Sequence, residues 1–241
     1  GLVGSEMCIR DRCEKPMSVN AEEARKLKKL AQEKNVLLME AMWTRCLPAF
    51  RKAKEWAGSG KIGDLKYVTA SFCFRTQFDP QNRLFNPKLA GGSLYDTGVY
   101  VIELATGILG EAPSDASGVC SVGETGVDDF ASFSLRFPCG ALAGLSCGVT
   151  AKTDPDAVVY GTKGRIVLRD FFAVRKCELY GEDGHMQDCF EDAEPDGFVH
   201  EIRHFADLYR NGKKESDYVP LSDTVACAEV FDRLRAQWKL K

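Results

Sequence analysis

Near the start of this chain a capped amphipathic helix runs directly into a continuous apolar stretch, the closing half of a β-α-β unit. Asn20 to Lys34 (NAEEARKLKKLAQEK) opens on Asn20 with Glu23 three residues later, an Asn-x-x-Glu capping box. Ala24, Leu27, Leu30 and Ala31 form its apolar stripe. Val36 to Glu40 (VLLME) then lacks polar alternation, as a strand of a buried parallel sheet does. Upstream, Gly1 to Arg12 (GLVGSEMCIRDR) has neither a helical nor a strand period, nor a signal-peptide layout. SEMCIRDR resembles a translated sequencing adapter, so residues 1–12 read as a non-native leader. The first strand of the β-α-β unit is then expected to be missing.

Downstream, a helix at Pro48–Ala57 precedes a strand at Leu65–Phe74, a long loop at Arg75–Gly92 and an apolar helix at Ser93–Thr106. From Ala112 strand-like runs alternate with turn signals: Ser114–Val122, Phe130–Phe137, Ala141–Val149, Ala157–Tyr160, Arg165–Leu168 and Val174–Tyr180. Pro138-Cys139-Gly140 reads as a hairpin turn. Helices at Phe198–Arg210 and Ser222 to about Trp238 close the chain. The expected fold class is α/β: the C-terminal remnant of a doubly wound (Rossmann) domain, then an α+β domain on an open, mainly antiparallel sheet.

A net charge of −3 without clustered Lys and Arg argues against a nucleic-acid or membrane-surface partner, and Arg25–Lys29 reads as a solvated helix face. No apolar run reaches membrane-spanning length. The ten cysteines form no C-x-x-C pair, and Cys73 and Cys147 lie in apolar runs where thiols act as small hydrophobes. A reduced, cytoplasmic compartment is expected.

Three motifs invite chemistry. Gly58-Ser59-Gly60-Lys61-Ile62-Gly63 matches G-x-G-x-x-G but follows a helix and precedes a strand, the reverse of a phosphate-binding turn, so it reads as a loop. His200-Glu201-Ile202-Arg203-His204 matches H-E-x-x-H on a helix, the basis of an alternative zinc-hydrolase reading. It lacks an obvious third ligand, so no metal is assigned. The third pairs Glu14-Lys15-Pro16 with Gly91-Gly92-Ser93-Leu94-Tyr95-Asp96-Thr97-Gly98-Val99-Tyr100. Asp96 and Tyr100 are four apart and share a helix face. A lysine near a tyrosine is expected to favour the phenolate, and the glycines admit a close approach of backbone or ligand.

Together these two motifs resemble the glucose–fructose oxidoreductase/inositol dehydrogenase (Gfo/Idh/MocA) family, with tyrosine where many members have histidine. Glu40–Arg45 (EAMWTR), Glu124–Asp129 (ETGVDD) and Gly161–Gly164 (GTKG) look like that family's dihydrodiol and D-xylose dehydrogenase branch. The resemblance implies NADP as cofactor, with NAD possible, held in part by Glu14, Lys15 and Pro16. It implies a catalytic Lys15 and Tyr100, Asp96 to orient them, Trp43 and Arg45 at the substrate, and a cis Lys15–Pro16 peptide. The substrate would be a sugar or cyclic trans-diol, and the assembly a homodimer formed through the sheet. A non-catalytic sugar-binding member is the other alternative. The domains are then 1–12 leader, 13–42 remnant of the dinucleotide-binding domain and 43–241 substrate-binding and dimerisation domain. The glycine fingerprint would precede Glu14, so the 241-residue chain is not expected to bind NADP(H) or act by itself.

Overall fold

The computed structural model describes residues 10–240. Residues 1–9, most of the expected leader, lie outside them. β1 (Arg10–Glu14) pairs in parallel with β2 (Leu37–Ala41), from Arg10 opposite Leu37 to Glu14 opposite Ala41, and α1 (Ala21–Glu33) connects them. The β-α-β unit is therefore closed by a first strand, and the expectation that this strand is missing is corrected. Arg10 to Arg12 carry no apolar period, but a parallel ladder is made by backbone groups that every residue here possesses. Asn20 caps α1, its side-chain oxygen accepting from the Glu23 amide at 2.8 Å.

The rest of the chain builds a second sheet. After a 3₁₀ turn at Trp43–Cys46 come α2 (Pro48–Gly58), β3 (Leu65–Cys73) and α3 (Val99–Leu109), which continues from a π-helical turn at Leu94–Gly98. β4 (Asp115–Val122), β5 (Asp128–Arg136), β6 (Leu142–Gly148), β7 (Ala157–Gly161), β8 (Gly164–Leu168), β9 (Lys176–Gly181) and β10 (Met186–Glu191) follow, then α4 (Phe198–Arg210) and α5 (Leu221–Trp238). The eight strands lie in the order β10-β9-β8-β7-β3-β6-β5-β4, antiparallel throughout except for β3 beside β6. The expected open, mainly antiparallel sheet is what forms. β10 escapes sequence pattern because it is a mostly exposed edge strand with a polar composition and a bulge against β9.

Alternation gives the large sheet two unlike faces. Val68, Ala70, Phe133, Leu135, Leu145, Val159, Ile166, Leu168 and Leu179 are buried in one core with residues of α2, α3 and α5. Tyr67, Val119, Leu142 and Tyr160 stay exposed on the opposite face. Among the described residues no helix is long and apolar enough to cross a membrane.

α3 is buried nearly all round. Against it lies Arg45 of the 3₁₀ turn, which donates to Glu103 Oε2 at 2.7 Å and Asp223 Oδ2 at 2.8 Å, tying α3 to the first turn of α5. Gly107 makes this approach possible. A Cβ there would lie 2.8 Å from the Phe50 ring and 2.9 Å from Arg45 Nε. Gly107→Ala is expected to lower the unfolding free energy by about 1–3 kcal/mol, because overpacking outweighs the ~1 kcal/mol that alanine offers a helix interior. Urea denaturation checks the sign, and a more stable variant would show that the junction can yield.

Candidate active site

The site begins where β1 ends. Lys15–Pro16 is a cis peptide, as expected, and the chain turns there under the control of Glu40 at the end of β2. One Glu40 oxygen accepts from the Met17 amide at 3.0 Å and the other from the Thr224 hydroxyl of α5 at 2.6 Å. Both bonds are buried, so the turn carrying Lys15 is referenced to β2 and α5 at once. Lys15 Nζ then reaches across the molecule to donate to the Asp96 carbonyl at 2.6 Å and to Asp96 Oδ1 at 3.3 Å. It lies 4.6 Å from the centre of the Tyr100 ring.

Asp96 and Tyr100 are presented by the π-helical turn and the start of α3. Such wide turns are often found at functional sites. Buried Asp128 holds the turn, accepting from the Ser93 hydroxyl at 2.8 Å and the Leu94 amide at 2.6 Å. Gly92, at φ +127°, leaves the space that Asp128 Oδ1 fills, and Gly91 packs against the backbone of Asn86 and Arg83. The double glycine thus admits protein rather than ligand. Gly98 likewise packs on Leu94 and Cys147.

Aromatic rings cluster about Tyr100. Trp43 Nε1 donates to it at 3.4 Å, and Trp43 stacks on Phe198 with centroids 4.4 Å apart. Phe72 meets the Tyr100 ring edge-on at 5.2 Å and stacks on Phe172 at 4.2 Å. Phe72, Phe172, Phe198 and Glu40 went unassigned in the sequence. A phenylalanine in an apolar strand or loop looks like core, whereas a glutamate ending an apolar run (VLLME) was a readable signal.

Burial, the dominant influence, depresses the Lys15 pKa, against the pull of the Asp96 carboxylate. Burial pushes the Tyr100 phenol up to about 12, while the Trp43 hydrogen bond works the other way. The expectation that the lysine brings the phenol toward neutrality is therefore corrected. The ammonium sits over the ring face, and desolvation of the phenolate wins. At neutral pH Tyr100 is a proton donor, and its hydroxyl proton has no acceptor among the described residues. This arrangement suits an acid–base pair at a carbonyl or hydroxyl.

Other candidates fall outside this cluster. Arg45, expected at the substrate, is 2% exposed and committed to Glu103 and Asp223, so it is part of the interior. Gly58–Gly63 is the turn between α2 and β3, packed on the β7–β8 hairpin through the Asp64 amide and Thr162 hydroxyl at 3.1 Å. In the H-E-x-x-H string each side chain faces a different partner. His200 Nε2 meets Asp192 at 2.7 Å, His204 Nε2 meets Ser216 at 2.7 Å, and buried Glu201 pairs with Arg12 of β1. No group of three or more His, Cys, Asp or Glu among the described residues is placed to hold a metal. His200→Ala and His204→Ala are accordingly expected to leave dehydrogenase activity of the natural full-length protein within about threefold, and chelator treatment to change nothing. Inactivation by a chelator, reversed by zinc, would restore the hydrolase reading.

Residues 50–167 match the GFO/IDH/MocA C-terminal domain. The chain is 33% identical to trans-1,2-dihydrobenzene-1,2-diol dehydrogenase of Mus musculus over 92% of its length and 68% of that protein, and 32% identical to the Homo sapiens protein of that name over the same shares. Among solved structures it resembles aldose-aldose oxidoreductase from Caulobacter crescentus (TM-score 0.80, 22% identity, 94% of this chain and 70% of that one). It also resembles KijD10, a 3-ketoreductase from Actinomadura kijaniata, in complex with NADP and TDP-benzene (TM-score 0.77, 25% identity, 93% and 70%).

Proposed function

The chain belongs to the GFO/IDH/MocA family of oxidoreductases, and from that premise we propose that it serves an NADP-dependent dehydrogenase acting on a secondary alcohol of a cyclic trans-diol or a sugar such as D-xylose, with Lys15, Asp96 and Tyr100 as the working residues. The observation that carries this reading is the convergence of an ammonium, a carboxylate and an unspent phenol proton beside a cluster of aromatic rings. Phe72, Phe172, Trp43 and Phe198 suit a flat ring or the apolar face of a sugar.

The nicotinamide end of a dinucleotide fits this arrangement. Ligands of doubly wound sheets sit beyond the carboxyl ends of parallel strands, and there Glu14 ends β1, Lys15 and Pro16 follow it, and Trp43 follows β2. These residues would hold the cofactor's reactive end. NADP rather than NAD is preferred on the NADP complexes of KijD10. When bound, the cofactor supplies the redox chemistry.

The protein moves the proton. In carbonyl reduction the Tyr100 hydroxyl donates to the substrate oxygen, while Trp43 Nε1–H and the Lys15 charge stabilise the phenolate left behind. In alcohol oxidation the Lys15–Tyr100 pair must start with one proton fewer. Because burial lowers Lys15 and raises Tyr100, that proton leaves first from the lysine. Oxidation is therefore expected to rise with pH through the depressed Lys15 pKa, and reduction to fall over the same interval.

In the natural full-length protein, Tyr100→Phe keeps the ring and removes the acid. Turnover on D-xylose or a cyclic trans-diol should drop about 10²–10⁴-fold with a much smaller change in KM. Near-normal turnover with both substrates would reduce Tyr100 to a packing residue and end this mechanism.

A homodimer formed through the exposed face of the large sheet completes the proposal, since a sheet with one uncovered face is a ready interface. Tyr67 and Tyr160 stack at 6.2 Å on that face. Sedimentation should find a dimer that Tyr67→Glu/Tyr160→Glu dissociates, whereas a monomeric parent protein would remove this part of the reading. Buried Cys46, Cys73, Cys147, Cys177 and Cys227, none in a disulfide, fit a reducing cytoplasmic compartment.

A further inference from the structure

The loop between β3 and the π-helical turn does more than connect. Leu84 and Phe85 are buried against Val149 and Phe74, and Phe78 packs edge-on to Phe85 at 5.1 Å. The Gly92 amide donates to the Leu84 carbonyl at 2.9 Å, and the Leu84 amide to Asn82 Oδ1 at 3.0 Å. A loop pinned on both sides of residue 83 presents that side chain from a fixed base. Arg83 Nη1 donates to Asp96 Oδ1 at 2.7 Å, closer than the 3.3 Å from Lys15 Nζ to the same oxygen. Asp96 Oδ2 has no protein donor among the described residues. Two cations share one carboxylate oxygen and the other is left over.

We propose that Arg83 is a positioning residue of the site, dividing the Asp96 carboxylate with Lys15 so that Oδ1 is spent on the two cations and Oδ2 remains to accept a substrate hydroxyl. This rests on the dehydrogenase reading for what Lys15 and Asp96 do, but the division itself is a property of the protein alone. Full pairing with Asp96 would hold Lys15 in its charged form. Arg83 prevents that in two ways, by occupying the shared oxygen and by adding a like charge nearby. The charged groups bearing on Lys15 are Asp96 from the π-helical turn, Arg83 from the loop, Glu14 from β1 and Glu40 from β2. Of these, Arg83 is the cation, and its side chain is 67% exposed, so it can be exchanged without opening the core.

The test is competitive acetylation of Lys15 by trace acetic anhydride across a pH series, read by peptide mass spectrometry on the natural full-length protein without substrate. Arg83→Gln should move the Lys15 titration midpoint upward by about half a pH unit, a reduced value for a partly solvated charge. Arg83→Met should do the same and Arg83→Lys should restore most of the original midpoint. The low-pH limb of alcohol oxidation should follow the same displacement, with kcat at neutral pH falling more than KM rises. An unchanged midpoint in Arg83→Gln and Arg83→Met overturns the proposal whatever happens to activity. A displaced midpoint with an unmoved pH–rate limb upholds the division of Asp96 and instead removes Lys15 from the chemistry, a failure of the dehydrogenase mechanism.

Discussion

The contact from Lys15 to Asp96 spans 81 positions of sequence and joins the two sheets of the molecule. Lys15 belongs to the two-stranded parallel unit, and Asp96 to the turn leading into the helix that lines the eight-stranded sheet. A charge-assisted bond between such elements is strong but depends on both being held with precision. Glu40 supplies that precision on one side through Met17 and Thr224, and Asp128 supplies it on the other through Ser93 and Leu94. Both are buried carboxylates whose hydrogen bonds offset the penalty of leaving water.

The same desolvation sets the protonation of the cluster. It lowers the affinity of Lys15 for its proton and raises that of Tyr100, so two groups within cation–π distance hold protons with opposite tendencies. Pairs driven apart in this way are how one fold runs acid and base steps near neutral pH. Phe72 and Trp43 pack against Tyr100 and contribute to its burial.

The ion-paired Arg45–Glu103–Asp223 group shows how misleading residue type can be. An arginine two positions after a pocket tryptophan invites a substrate role, yet its 3₁₀ turn sends Trp43 to the site and Arg45 into the interior. The H-E-x-x-H string is misleading in a similar way. Its helix spacing is right, but Asp192, Ser216 and Arg12 each claim one of its side chains.

By itself the sequence determined the elements whose causes are local. The Asn20 cap, the apolar run of β2, the hairpin at Pro138–Gly140 and the alternation of the large sheet all follow from neighbouring residues, and so does the placing of Asp96 and Tyr100 on one face. What only the tertiary structure decided is non-local: the parallel pairing of β1, the polar edge strand β10, the removal of Arg45 from the site, and the addition of Arg83, Glu40, Phe72, Phe172 and Phe198 to it. The ionisation of Tyr100 belongs there as well. A nearby lysine argues for a depressed pKa, but burial of the phenol sets the balance the other way, and that burial does not exist until the chain has folded.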